Sequence, residues 1–234
     1  MQRFKYLYLI PLNIWWLFLA LMLLAYGYIG SFLVMNFYHA DWLDQPMFLL
    51  GLLGDSLLLG SVLVLIHRRD PGKALSFILV LVVSGVLAQV LKQFVFPEWD
   101  RPLKIIGDEH LVHLVNNVRL MQHSFPSGHS VSAGAAFTLL AWIYKDKPKI
   151  LLLSLFLSLL IPYTRVYTGA HFPGDILAGS ITGTVMTIAM IPYLEKFKQY
   201  ISLKPDTVMK RFSLILTLIA VVGIIVVVVQ LLIP

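Results

Sequence analysis

The chain has 234 residues, 59% of them hydrophobic and 13% charged, whereas a soluble domain is about half apolar and a quarter charged. It contains no cysteine, which excludes disulfides and thiolate metal sites. A net charge of +6 in a soluble protein would point to nucleic acid. Here the basic residues fall between long apolar blocks, so membrane topology accounts for them and no nucleic-acid partner is expected.

A bilayer core needs about 20 apolar residues per helix. Spans are expected at about 11–37, 47–66, 73–96, 129–144, 149–167, 174–194 and 212–233. The first block is too long and too aromatic for a signal peptide and lacks a small-residue cleavage pattern, so it reads as a retained helix. The fourth and fifth spans are short and draw on their neighbours for length. Residues 195–211 are polar and basic around Phe197, Tyr200, Ile201 and Leu203, as in a linker or a helix lying in the interface. The expected fold is an all-α, polytopic transmembrane helix bundle with six core helices and a seventh C-terminal helix. Residues 1–234 are expected to form a single integral membrane domain.

Lys and Arg divide unevenly between alternate loops. The N-terminus and loops 67–73, 145–149 and 195–211 hold 13 of the 18, and the other side holds Lys92, Arg101, Lys104, Arg119 and Arg165. The positive-inside rule places the larger group in the cytoplasm. The expected location is a bacterial cytoplasmic (inner) membrane, with the smaller group facing the periplasm or outside.

The chemistry-bearing residues lie at span ends. Asp55 is the one acid inside an expected span, where its charge is costly. It could bond a site cation or histidine from behind, or make a structural hydrogen bond to a neighbouring helix. Lys92 closes the third span and Arg101-Pro102 follows it; the plainer reading of both cations is interfacial anchoring. The loop 103–125 holds Asp108, Glu109, His110, His113, Arg119, Gln122 and His123 without a matched third metal ligand, so it reads as a substrate-facing or surface loop.

Pro126-Ser127-Gly128-His129 opens the fourth span. A Ser-Gly turn at a helix N-terminus presents free backbone N–H groups to an anion, and His129 can give a proton to a leaving oxygen. The plainer reading is a helix cap. Arg165 ends the fifth span, His171 follows six residues later, and Asp175 lies four beyond that. A carboxylate at that distance can fix the imidazole tautomer and leave the other nitrogen free to attack. The plainer reading is an interfacial His and a snorkelling Arg. Three cations and an oriented histidine in one set of loops point to a phosphate-type anion at a membrane surface.

Together the runs resemble the signature of the phosphatidic acid phosphatase type 2 superfamily of membrane phosphatases, whose fold is shared with vanadium haloperoxidases. That pattern is a Lys spaced from an Arg-Pro, then Pro-Ser-Gly-His, then an Arg, five residues, a His, three residues and an Asp. Residues 126–129 and Arg165, His171 and Asp175 match with full spacing. Thr164 stands where Ser is usual, and eight residues separate Lys92 from Arg101 where the usual form has six. The resemblance covers about residues 45–195, the expected phosphatase core, and leaves the span at 212–233 outside.

The resemblance implies that His171 is a nucleophile forming a phosphohistidine, oriented and charged by Asp175, with His129 as general acid. Lys92, Arg101, Ser127, Gly128 and Arg165 would hold the phosphoryl oxygens, with no metal and no cofactor. The implied activity is a metal-independent lipid phosphatase acting on a phosphomonoester or pyrophosphate. Its substrate would be undecaprenyl pyrophosphate, phosphatidic acid, phosphatidylglycerol phosphate or a lipid A phosphate. A lipid phosphotransferase would carry the same residues, and a non-catalytic transporter or binding protein for anionic lipids would use the same cations. The expected partners are the lipid phosphate and membrane lipids, and no obligate protein partner is inferred.

Overall fold

The computed structural model describes residues 1–232, and among them the regular elements are all helical. The long helices are α1 (Gln2–Phe37), α4 (Pro71–Val95), α7 (Pro148–Tyr167), α8 (Pro173–Ser202) and α9 (Asp206–Leu232), each long and apolar enough to cross a membrane. Between them lie α2 (Asp41–Leu52), α3 (Ser56–Ile66), the short α5 (Pro102–Ile106) and α6 (Gly128–Ile143). The architecture is a bundle of apolar, membrane-length helices. Several starts are set by proline: Pro71, Pro102, Pro148 and Pro173 each open a helix, where the missing N–H has no partner to lose.

α6 is the central helix. Its 16 residues span about 24 Å, and every residue from Ser130 to Leu139 is buried. It packs most extensively on α8, with α7 and α4 on its other sides. The α6–α8 contact is backbone to backbone: a Cβ at Gly134 would lie 2.7 Å from the Ser180 carbonyl, one at Gly179 would lie 2.6 Å from the Ser127 carbonyl, and one at Gly183 would overlap the Val131 carbonyl. Small residues let membrane helices approach in this way. α1 lies against α7 and α8, and α9 lies against α3 and α4. Tyr8, fully buried on α1, bonds both Thr138 Oγ1 and Ser158 Oγ at 2.9 Å.

The expected single span 47–66 is two helices, α2 and α3, meeting at 71°. The chain closes 3-10-type bonds from Leu53, Gly54 and Asp55 back to Leu50, Gly51 and Leu52. Asp55 then begins α3 as its N-cap, accepting from the Leu57 and Leu58 amides at 2.9 Å each. Its hydrogen bonds therefore go to the helix cap, not to a site cation or histidine, and Asp55 does not sit inside a continuous span. The cause is local: Gly-Asp-Ser is helix-start chemistry. The segment 195–211, expected as a linker or an interfacial helix, is helical except at residues 203–205, because α8 runs on to Ser202 and α9 starts at Asp206. Ile233, the last residue of the expected seventh span, lies outside the described residues.

The two ends of the bundle differ. The turns at 67–70, 144–147 and 203–205 share one end with the N-terminus, where Arg3 Nη1 donates to the Asp146 carbonyl at 2.9 Å. The Lys-Arg, Ser-Gly-His and Arg-His-Asp runs share the other. Because the α6–α8 seam leaves no room, Gly183→Ala is expected to lower thermal unfolding stability in detergent by about 1–3 kcal/mol. Gly85→Ala, with open space at its Cβ, should cause no loss in the same assay.

Candidate active site

The site is built from three segments around Asp175, held together largely by hydrogen bonds to backbone groups. α4 ends in a widened π-helical turn, Leu91–Val95, and Phe96 closes it by donating to the Leu91 carbonyl. The turn that follows brings Arg101 back over the helix end. Lys92 Nζ donates to the His123 carbonyl at 2.9 Å, and Arg101 Nε donates to the neighbouring Gln122 carbonyl at 2.7 Å. Two cations on consecutive carbonyls are side by side. The longer spacing between Lys92 and Arg101 is thus absorbed in the turn after α4, and both cations belong to the cluster.

The second segment is the start of α6. Ser127 is its N-cap, with Oγ accepting from Ser130 N at 3.4 Å. The Ser127 amide donates to the Asp175 carbonyl at 3.1 Å, which fixes the turn to α8. Gly128 has open space where a Cβ would stand. The first amides of α6 have no intrahelical acceptor and lie at the positive end of the helix dipole. His129 packs against Gly54, where a Cβ would come within 2.9 Å of its ring; Arg165, Arg101 and Lys92 are its cationic neighbours, and His171 is close by.

The third segment turns the chain between α7 and α8. Gly169, at φ +73°, ends α7 in the left-handed conformation. The Arg165 carbonyl accepts from both Ala170 N (2.9 Å) and His171 N (3.0 Å), so His171 folds back over Arg165. The Arg165 guanidinium lies beside Gly51 on α2, and its buried Nε has no hydrogen-bond partner among the described residues. Arg101 Nη1 reaches the same turn, at 3.1 Å from the Ala170 carbonyl and 3.3 Å from His171 Nε2.

Asp175 is the centre of the arrangement and is completely buried. Its Oδ2 accepts from Phe172 N at 2.9 Å and from Ser124 Oγ, and it lies 3.3 Å from His171 Nδ1. Its Oδ1 accepts from the Tyr28 hydroxyl. With Nδ1–H toward the carboxylate, Nε2 of His171 carries the lone pair and faces Arg101. Burial, followed by the charges of Arg101, Lys92 and Arg165, holds the His171 pKa well below its ordinary value, so the ring is neutral near pH 7. A neutral imidazole with one nitrogen held by a carboxylate, the other facing a guanidinium, and Lys92 and Arg165 close by is suited to attack an electrophilic, anion-bearing atom.

Every residue of the three sequence runs is in this cluster; Asp55 is not. Sequence reading missed Ser124, Tyr28 and Trp99. Ser124 stands three residues before Ser127, and the Tyr26-Gly27-Tyr28 run inside an apolar block was the one signal for Tyr28. Loop 103–125 is largely exposed and meets the site cations through its Gln122 and His123 carbonyls, but it is also anchored. Val112 and Val115 are buried, His113 Nε2 bonds Asp44 at 2.9 Å, and His113 N donates to Asn36 Oδ1 at 2.7 Å. Asn36 in turn caps the Val166 and Tyr167 carbonyls at 2.9 Å each.

The chain is similar to known proteins. The sequence profile of the PAP2 superfamily matches residues 73–199, more than half of the chain. The chain is 30% identical over 129 residues to an undecaprenyl-diphosphatase of Sulfolobus acidocaldarius, covering 53% of this chain and 56% of that one. It is 28% identical over 172 residues to phosphatidylglycerophosphatase B of Bacillus subtilis, covering 68% of this chain and 79% of that one. The crystal structure of Aquifex aeolicus LpxE superposes with a TM-score of 0.61 at 28% identity, covering 69% of this chain and 93% of that one. The chain belongs to the PAP2 superfamily.

If Lys92 and Arg101 both contact a bound oxyanion, each charge-assisted bond is lost on truncation. Lys92→Ala and Arg101→Ala are each expected to weaken binding of orthovanadate by about 2–4 kcal/mol, roughly 30- to 1000-fold. Calorimetric titration of the purified protein measures this.

Proposed function

We propose that the protein is a membrane lipid phosphatase that works through a phosphohistidine at His171. The observation that carries the reading is the His171 ring, held at Nδ1 by buried Asp175 and facing the Arg101 guanidinium with Nε2. In the first step, the Nε2 lone pair forms a bond to phosphorus and the bond to the leaving oxygen breaks. His129 gives that oxygen its proton. In the second step, water gives a proton to His129 and attacks phosphorus, the N–P bond breaks, and phosphate leaves with His171 neutral again. Lys92, Arg101, Arg165 and the α6 amides at Gly128 and His129 stabilise the charge on the equatorial oxygens throughout. Ser127 shapes that helix end.

A lipid substrate is supported by what lies beside the site. A cavity of about 640 Å³ runs between α3, α4 and α9, lined by Leu57, Gly60, Leu81, Gly85 and Leu216, with Gln89 and Gln93 toward its outer end. It extends along α4 from Ile78 to Phe94, about 24 Å at 1.5 Å per residue, most of a hydrocarbon core. At its upper end Ser56 Oγ bonds Ser132 Oγ at 2.8 Å, and Ser132 bonds the Gly128 carbonyl. A hydrocarbon tail in this cavity would leave its headgroup phosphate near Lys92. The reading treats residues 1–234 as one membrane domain. The enzymatic names of the relatives make lipid diphosphates and glycerophospholipid phosphates the first substrates to try.

The purified protein in detergent is expected to release phosphate from a panel of lipid phosphates with EDTA present. His171→Ala should abolish release, and His129→Ala should accumulate phosphoenzyme from a substrate with a good leaving group. Full activity in His171→Ala, or strict dependence on magnesium or zinc, would sink the mechanism.

We also place the site on the outer face of a bacterial inner membrane, on the strength of the charge asymmetry between the two ends. A cysteine introduced as Asn117→Cys is expected to react with an impermeant thiol reagent in intact cells or spheroplasts, and Lys147→Cys should not. The reverse pattern puts the site in the cytoplasm.

A further inference from the structure

Tyr28 is 147 positions from Asp175 in sequence and lies outside the residues matched by the family profile. Four observations bring it to the site. Its hydroxyl donates to Asp175 Oδ1. The same hydroxyl accepts from Trp99 Nε1 at 3.1 Å. Its ring packs on Phe172, with centroids 4.7 Å apart, and covers Gly174, where a Cβ would overlap the ring. Gly27, at φ +69°, breaks the regular path of α1 immediately before it.

The carboxylate is served asymmetrically. Oδ2 receives Ser124, the Phe172 amide and His171 Nδ1. Oδ1 has the Tyr28 hydroxyl as its one hydrogen-bond donor among the described residues. In a fully buried group, an oxygen without a donor carries the full desolvation cost. The Tyr28 hydroxyl therefore decides which edge of the carboxylate turns toward His171. Trp99 extends the link, since its carbonyl accepts from Ser124 N at 2.7 Å and it stands two residues before Arg101.

We propose that Tyr28 is a positioning residue for the nucleophile: it locks the Asp175 carboxylate so that Oδ2 holds His171 Nδ1–H and Nε2 stays unprotonated and aimed at phosphorus. Its effect on rate rests on the phosphatase reading above; the contact itself does not. Tyr28→Phe keeps the ring and its packing but removes the hydroxyl. It is expected to lower kcat about 10- to 100-fold, the scale for groups that orient a functional side chain. KM should change by less than about threefold, because no substrate contact is removed.

The Nδ1–H resonance of His171, read in protein labelled with 15N-histidine and assigned by its loss in His171→Gln, should shift in Tyr28→Phe. Tyr26→Phe, on an exposed neighbour, should leave kcat and the resonance unchanged. Trp99→Phe, which keeps the Tyr28–Asp175 bond, should shift the resonance less than Tyr28→Phe. A Tyr28→Phe kcat within about twofold of the parent overturns the proposal, as does a lower kcat with an unmoved resonance, which marks general structural loss. If the parent protein releases no phosphate at all, the phosphatase reading fails by itself, and an unmoved resonance still overturns the positioning role.

Discussion

The bundle is organised around a carboxylate with no access to water. Burying an ionised Asp without partners would cost several kcal/mol. Asp175 avoids this by gathering donors from three parts of the chain: Tyr28 on α1, Ser124 in the loop before α6, and Phe172 and His171 on its own turn. Each donor must be delivered to within hydrogen-bond distance, so each segment's position is fixed by the same group. The Ser127 amide is attached to the backbone of that residue as well. The geometry around the histidine is thus a by-product of solvating one charge with protein.

The second constraint is the seam between α6 and α8. Direct backbone contact at Gly134, Gly179 and Gly183 brings the N-termini of these helices together. One presents Gly128 and His129, and the other presents Asp175. A wider seam would separate the first amides of α6 from His171 and Asp175. The packing of the apolar interior and the alignment of the polar site are therefore one problem.

Much of this was legible in the sequence. Apolar blocks located the long helices, because twenty-residue runs have few other uses. Fixed spacings located Ser127, His129, Arg165, His171 and Asp175, because a turn and a helix start put such residues near one another. What could not be read depended on tertiary contact. The break at Gly54-Asp55 looked like a charge within a span, and only the chain path reveals Asp55 as a cap. The extension of α8 to Ser202 runs through a polar segment that reads equally as a linker or as an interfacial helix. Ser124 and Tyr28 carry no motif of their own; their roles come from the carboxylate they meet.

α1 is pinned at both ends: Tyr8 meets Thr138 and Ser158 near one, and Tyr28 and Asn36 meet Asp175, Val166 and Tyr167 near the other. During synthesis, α1 leaves the ribosome before the helices it meets, and its partners at the site emerge well over a hundred residues later. Until the end of α7 has been made the amide of Asn36 lacks the Val166 and Tyr167 carbonyls, and until α8 begins the hydroxyl of Tyr28 lacks Asp175. The site end of α1 must therefore wait while the helices from α2 to α8 follow it. Docking of its site end is a late event of assembly, and a chain stopped before Asp175 contains Lys92, Arg101, Arg165 and His171 but not the carboxylate that holds the ring.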